Sequence, residues 1–233
     1  MTIKDLELFS EIPESELNEL LPSLTVRNFK KNHLLLFEND INDRIYFIRS
    51  GLLKVCRYYD GKEIILSLAS KGEILGEMEI FTRIPEQISS VEAITNISVW
   101  QLSKKDFENI IDKYPIVMKR AYTILSDRIR TLNRLIRYLS FCDVRAKVAN
   151  LLLDFYYNIG EENDGHHQIN FHINQSLFAN MLGITRESVS KTISDFQNEG
   201  LVELQHQRFI VDLKGLKAVC RDTEDTRELR LWY

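Results

Sequence analysis

A glycine set between two short amphipathic segments limits what this chain can become. It lies in the run INQSLFANMLGITRESVSK, Ile173 to Lys191. From about Asn174 to Leu182, Leu177, Phe178, Met181 and Leu182 fall on one face of a helix. Gly183 then stands where a helix closes with a left-handed residue, a conformation that costs glycine no Cβ clash. Ile184 fills the angle, Thr185 is a good N-cap, and Arg186-Glu187-Ser188 opens a second helix. Val189, Ile193 and Phe196 turn inward, leaving Arg186, Glu187, Ser190 and Lys191 outward. The pattern is that of a helix-turn-helix, although any two-helix hairpin with a glycine turn shares the spacing.

The residues that follow narrow the choice. The second helix ends at Gly200, and Val202-Glu203-Leu204 and Arg208-Phe209-Ile210-Val211 read as two strands around a His206-Gln207 turn. Two helices plus a hairpin make a winged helix. This half resembles the DNA-binding domain of the CRP/FNR superfamily, bacterial transcription regulators of the cyclic-AMP receptor type. The run from Thr185 to Lys191 is similar to that family's recognition helix.

Bulk charge does not announce a nucleic-acid binder. The 233 residues carry a net charge of −4, and from Asp143 onward ten Lys and Arg face fourteen Asp and Glu. Affinity for DNA would therefore rest on local placement of Arg186, Lys191 and Arg208 in a dimer, and should be modest and salt-sensitive. A hydrophobic content of 44% supplies cores. There is no signal-peptide pattern and no run long enough for a membrane span. Cys56, Cys142 and Cys220 are far apart, as expected of reduced thiols in a cytoplasmic protein.

Leu6 to Leu21 reads as one or two short helices; Pro13 with Glu14-Ser15-Glu16 makes a helix start, and Leu17, Leu20 and Leu21 supply an apolar face. From Thr25 to about Leu102, short apolar runs alternate with turn residues such as Asn39-Asp40, Ser50-Gly51, Asp60-Gly61 and Lys71-Gly72, which predicts an all-β sandwich or jelly roll. The hairpin Ile45 to Val55, the turn Tyr59 to Glu63 and the segment Lys71 to Glu77 resemble, in that order, the sensor domain of the same superfamily. Ser103 with Asp106 opens a helix, and Tyr114-Pro115 ends it and starts a longer one. Along the longer helix Tyr122, Ile129 and Ile136 occupy a positions and Leu125, Leu132 and Leu139 d positions, as in a two-stranded parallel coiled coil. A helix packed on its own domain needs a similar stripe; arginines 128, 130, 134 and 137 flank the seam without interrupting it, which favours the dimer. Ser140 to Arg145 resembles the family's hinge. Ala146 to Tyr157 reads as a helix, Asn158 to Gln168 as a loop, and Ile169 to Ile173 as a strand. The charged tail Arg221 to Tyr233 admits two readings, frayed or docked through its terminal Leu-Trp-Tyr.

In cyclic-AMP-binding members a Gly-Glu pair holds the ribose and an Arg-Ser pair the cyclic phosphate. Here the resemblance places Gly76-Glu77 at the first and Gln87-Ile88 at the second, with Leu132-Asn133 where the family carries a hydroxyl pair for adenine. A buried phosphate without a cation is costly, so ordinary cyclic-AMP binding is disfavoured. No cysteine precedes Cys56, which disfavours the four-cysteine iron–sulfur cluster of the oxygen-sensing branch. His33 and Cys56 are the sensor-domain candidates for haem ligation, and His166, His167 and His172 have no companions at metal-site spacing, so no metal site is expected. No nucleophile–base pair, P-loop or dinucleotide fingerprint is present, and no catalysis is expected.

The expected fold is α+β: a jelly-roll sensor similar to a cyclic-nucleotide-binding domain over residues 1–115, a dimerisation helix and hinge over 116–142, and a winged helix-turn-helix over 143–233. The resemblance implies a homodimeric regulator that reads a palindromic operator in double-stranded DNA under an unidentified effector, with RNA polymerase as a further candidate partner. It places Arg186 on a guanine edge, Glu187 on a cytosine amine, Lys191 on a base or phosphate, and Gln175 and Thr185 on phosphates. Ser188, Ser190 and the wing residue Arg208 complete the set. The alternative from another class is a ligand- or protein-binding module whose winged helix serves protein contacts.

Overall fold

Alternation along residues 25–103 produces eight strands: β1 (Thr25–Phe29), β2 (Leu34–Leu36), β3 (Arg44–Ser50), β4 (Leu53–Tyr59), β5 (Lys62–Ala69), β6 (Ile74–Leu75), β7 (Ser90–Ala93) and β8 (Ile97–Ser103). They form two four-stranded antiparallel sheets, in the orders β1-β8-β3-β6 and β2-β7-β4-β5. The computed structural model describes residues 2–163, 165–171, 174–205, 208–220 and 225–232, with positions 18, 20, 21, 80 and 81 described by backbone alone. Two compact units result, Met1–Ser126 and Asp127–Trp232.

In the first unit, β3 and β8 are buried on both faces, which is why their sequences read as nearly continuous apolar runs. Ile45, Phe47, Trp100 and Leu102 pack into one core with Leu6, Phe9, Phe107 and Val117. Tyr46, Ile48, Ile97 and Val99 point the other way, into a second core with Leu53, Val91 and Ala93. Helices α1 (Glu14–Leu20) and α2 (Met78–Phe81) and 3₁₀ turns complete the β-roll. The Ser103 hydroxyl accepts the Asp106 N–H at 3.0 Å and opens α3 (Lys104–Lys113). Pro115 starts α4 (Pro115–Phe141), where its missing N–H is no loss.

The second unit holds the remainder of α4, then α5 (Val144–Ile159), β9 (Gly160–Asn163), β10 (His166–Ile169), α6 (Gln175–Leu182), α7 (Arg186–Asn198), β11 (Val202–Gln205), β12 (Arg208–Val211), α8 (Leu213–Val219) and α9 (Arg227–Arg230). Asp143 caps α5 by accepting the Ala146 N–H at 2.8 Å. The structure corrects three expectations here. Helix α5 runs two residues further, to Ile159. Most of the expected loop over 158–168 is the β9–β10 hairpin, and the strand expected over 169–173 ends at Ile169. The reason is tertiary: β10 also pairs with β12, Ile169 opposite Phe209, so its position follows that neighbour rather than its own polar sequence. His172 and Ile173 lie outside the described residues, as does the His206-Gln207 turn.

The described part of the tail is docked. Asp225, Arg230 and Trp232 join a buried polar cluster built on α4 and α5. Arg134 donates from Nη1 and Nη2 to the two Asp154 oxygens at 2.9 and 2.7 Å, and from Nε to Asp225 Oδ2 at 2.7 Å. Arg230 donates to Asp154 Oδ1 at 2.9 Å and to Asn150 Oδ1 at 3.1 Å. Asn158 accepts the Trp232 N–H at 2.7 Å, and the indole meets Phe155 edge-on at 5.5 Å. Burial works against the Arg134 charge, yet the facing Asp154 carboxylate outweighs it and raises the guanidinium pKa. Replacing Asp154 by alanine leaves two buried guanidiniums short of a counter-charge. It should destabilise the second unit by about 3–5 kcal/mol. Urea unfolding followed through Trp232 in a Trp100→Phe background measures this.

Candidate nucleic-acid interface

The α6–α7 pair is held by local chemistry at each end. Asn174 caps α6 by accepting the Leu177 N–H at 2.7 Å. Gly183 closes it at φ +62°, the left-handed conformation expected of this position. Thr185 Oγ1 accepts the Ser188 N–H at 3.1 Å and lies 2.9 Å from the Ser188 hydroxyl, which starts α7. Helix α7 buries Val189, Thr192, Ile193 and Phe196, and Phe178 of α6 sits against Phe155 of α5 at 5.5 Å. Arg186, Glu187 and Lys191 are consequently exposed on the outer face of α7.

Gln175 and Ser190 are half-buried, and Gln175 Nε2 donates to Ser190 Oγ at 3.3 Å, tying the two helices together. Ser188 is also half-buried, engaged with the cap rather than fully outward. Arg208 opens β12 opposite Gln205 and is exposed. The candidate residues of α6 and α7 thus share one surface, with Arg208 on the adjoining hairpin. Behind it, Arg145 pairs with Glu199 at 2.7 Å and lies over the Phe196 ring at 4.9 Å, pinning the end of α7 to the start of α5.

In the first unit, Gly76 adopts φ +82°, and a Cβ there would stand 2.6 Å from the Arg44 carbonyl oxygen, so only glycine fits. Glu77 and Gln87 are buried. The Gln87 backbone pairs with Asn39 at 2.8 Å and Asp40 at 2.9 Å, and its buried Nε2 has no hydrogen-bond partner among the described residues. Ile88 is 55% exposed. Leu132 and Asn133 belong to the second unit and are exposed. Of the haem-ligand candidates, exposed His33 stacks on Phe29 at 4.4 Å, and Cys56 is buried, which pushes its thiol up to about 11. His167 Nδ1 is 2.8 Å from the Tyr156 hydroxyl. Among the described residues no group of three His, Cys, Asp or Glu is placed to hold a metal ion.

One network on the β-roll escaped sequence reasoning. Lys54 pairs with Glu63 and, at 3.1 Å, with Glu92, and the Tyr58 hydroxyl donates to Glu63 at 2.9 Å. Burial opposes the Lys54 charge, but hydrogen bonds to the two carboxylates prevail and raise its pKa. Lys54 and Glu92 face each other across β4 and β7, a pairing of distant segments that no local pattern signals.

The fold is a β-roll followed by a long helix and a winged helix-turn-helix. The family model for a cyclic nucleotide-binding domain matches residues 26–114, and that for a Crp-like helix-turn-helix domain matches residues 146–219. The chain is 27% identical over 205 residues to the CRP-like cAMP-activated global transcriptional regulator of Mycobacterium tuberculosis, covering 88% of this chain and 91% of that one. It is 24% identical to the anaerobic regulatory protein of Bacillus subtilis, over 87% of this chain and 86% of that one. Among solved structures, a mutant of CooA from Carboxydothermus hydrogenoformans superposes with a TM-score of 0.75 at 23% identity, covering 94% and 97% of the two chains. The chain belongs to the CRP/FNR superfamily, a family of transcription regulators rather than enzymes. Among the described residues no helix is long and apolar enough to cross a membrane.

The cap at Thr185 fixes where α7 begins. Thr185→Ala should cost about 1 kcal/mol, read as a lowered denaturation midpoint of the second unit.

Proposed function

We propose that the protein is a homodimeric, sequence-specific DNA-binding regulator controlled by an effector at the β-roll. The observation that carries this reading is the division of α7 into a buried apolar face and an exposed face bearing Arg186, Glu187 and Lys191. In a major groove, Arg186 would donate both N–H groups to one guanine, Glu187 would accept from a cytosine amine, and Lys191 would reach a base or phosphate. Gln175, Thr185 and Arg208 would hold the backbone, with Ser188 and Ser190 alongside. RNA polymerase is a partner of this reading, and residues 1–115, 116–142 and 143–233 are its sensor, dimerisation and DNA-binding parts.

The stripe on α4 supports a second copy as partner. Tyr122, Ile129 and Ile136 are 69%, 59% and 61% exposed, Leu132 is exposed, and Leu125 and Leu139 are half-buried. A two-fold axis along such a seam brings two α7 helices to successive turns of a duplex and calls for a palindrome. The effector is, on this reading, not an ordinary cyclic nucleotide, although relatives are named for cyclic AMP. Gln87 and Ile88 bring no cation to a cyclic phosphate. The acidic balance from Asp143 onward favours a second reading, a winged helix serving protein contacts. Binding that ignores salt, or is absent at every salt, selects it.

Selection from random duplexes at two salt concentrations tests the function, and a palindrome is expected. On the recovered operator, Arg186→Ala should lose about 1–3 kcal/mol of discrimination at one base pair. A variant with unchanged base preference removes Arg186 from the readout. Ile129→Glu should raise the dimer dissociation constant at least about a hundredfold, since two isoleucines each lose burial of about 1.5–3 kcal/mol. Sedimentation velocity over a concentration series measures it.

A further inference from the structure

Helix α4 ends at Phe141 and α5 begins at Val144, so Cys142 and Asp143 alone make the joint between them. A joint so short is the natural pivot between a dimerisation helix and a DNA-reading body. In this chain a third segment bridges it. From the tail, Asp225 accepts from Arg134 and Arg137 on α4, and Arg230 donates to Asp154 and Asn150 on α5. Asp225 and Arg230 also lie 3.8 Å from each other. The side chains of Arg134, Asp154, Asp225 and Arg230 are nearly all removed from solvent, and their two positive and two negative charges balance.

The Arg134–Asp154 pair links α4 to α5 directly, but an ion pair open to water holds little. The tail changes its surroundings. Asp225 takes the remaining Nε donor of Arg134, Arg230 shares Asp154, and Trp232 closes one side against Phe155. Dry and fully partnered, the same pair becomes hard to separate, because parting it strands charges in the interior.

We propose that residues 225–232 are a clamp across the hinge, in which Asp225 and Arg230 are positioning residues for DNA binding that act through Arg134 and Asp154. The proposal rests on the dimeric-regulator reading above. With the clamp closed, α5 and the last turns of α4 move as one body. Swinging about Cys142 and Asp143 then requires the tail to leave.

Two variants test this: truncation after Glu224 and, in the full chain, Asp225→Asn. Three measurements are made on each: sedimentation for the dimer, hydrogen exchange at the 141–143 amides, and affinity for the selected operator. The dimer should persist, hinge exchange should quicken about tenfold, and operator affinity should fall about tenfold. Arg230→Lys should retain more of the parent's hinge protection than Arg230→Ala. Folded variants with exchange and affinity within about twofold of the parent overturn the clamp. So does outright unfolding of the second unit in both variants, which would assign the tail to the core. If the parent itself binds no duplex, the regulator reading falls, while hinge exchange still decides the clamp.

Discussion

Helix α4 holds two placements that go against the usual rule: Ile129 and Ile136 face solvent and Arg134 is buried, while Val117, Ala121 and Ile124 of the same helix lie in the core. Each choice is unfavourable alone: an apolar side chain left in water forgoes about 1.5–3 kcal/mol, and an unpaired guanidinium in the interior costs more. Both are relieved by neighbours. On the inner side Asp154 and Asp225 compensate Arg134. On the outer side the heptad stripe is the shape a second helix fills, which is why the proposed partner is another copy of the chain.

Part of the acidic balance from Asp143 onward is taken up by helix caps and ion pairs. Asp143 and Asp212 cap α5 and α8, where a carboxylate faces the positive end of the helix. Asp154 and Asp225 are buried against arginines, and Glu199 holds Arg145. The exposed face of α7 carries Arg186 and Lys191 with Glu187, and the hairpin carries exposed Arg208 and Glu203. A duplex responds to that local field within a Debye length, about 8–10 Å at moderate salt, rather than to the sum over the domain.

Local rules made much of this legible. Gly183, Thr185, Ser103 and Pro115 act within one turn of chain, and all four mark helix ends in the structure. The apolar runs of the β-roll were equally readable, because strands buried on both faces admit few polar residues. What stayed hidden depends on partners distant in sequence. The β9–β10 hairpin looks like a loop because β12, some forty residues on, supplies its pairing. The tail reads as either frayed or docked because it is charged yet ends in Leu-Trp-Tyr, and nothing local reports that Arg134 and Asp154 await its arginine and aspartate. The Lys54–Glu92 pair is of the same kind, set by a strand contact rather than by spacing.

The boundary between the compact units bears on how a signal would travel. It falls inside α4, between Ser126 and Asp127, not at the hinge. Tyr122 and Leu125 therefore belong with the β-roll, and Ile129, Leu132, Ile136 and Leu139 with the winged helix, although all six share one stripe. In the proposed dimer, a change in the β-roll that altered how the first two pack on a partner would alter the register offered to the other four, since one unbroken helix carries them. With the hinge clamped by the tail, a shift in that register would be delivered to α5 and onward to α7 rather than absorbed at Cys142 and Asp143. On the clamp proposal the buried ion cluster would serve transmission, because a joint that cannot bend passes on the movement that reaches it.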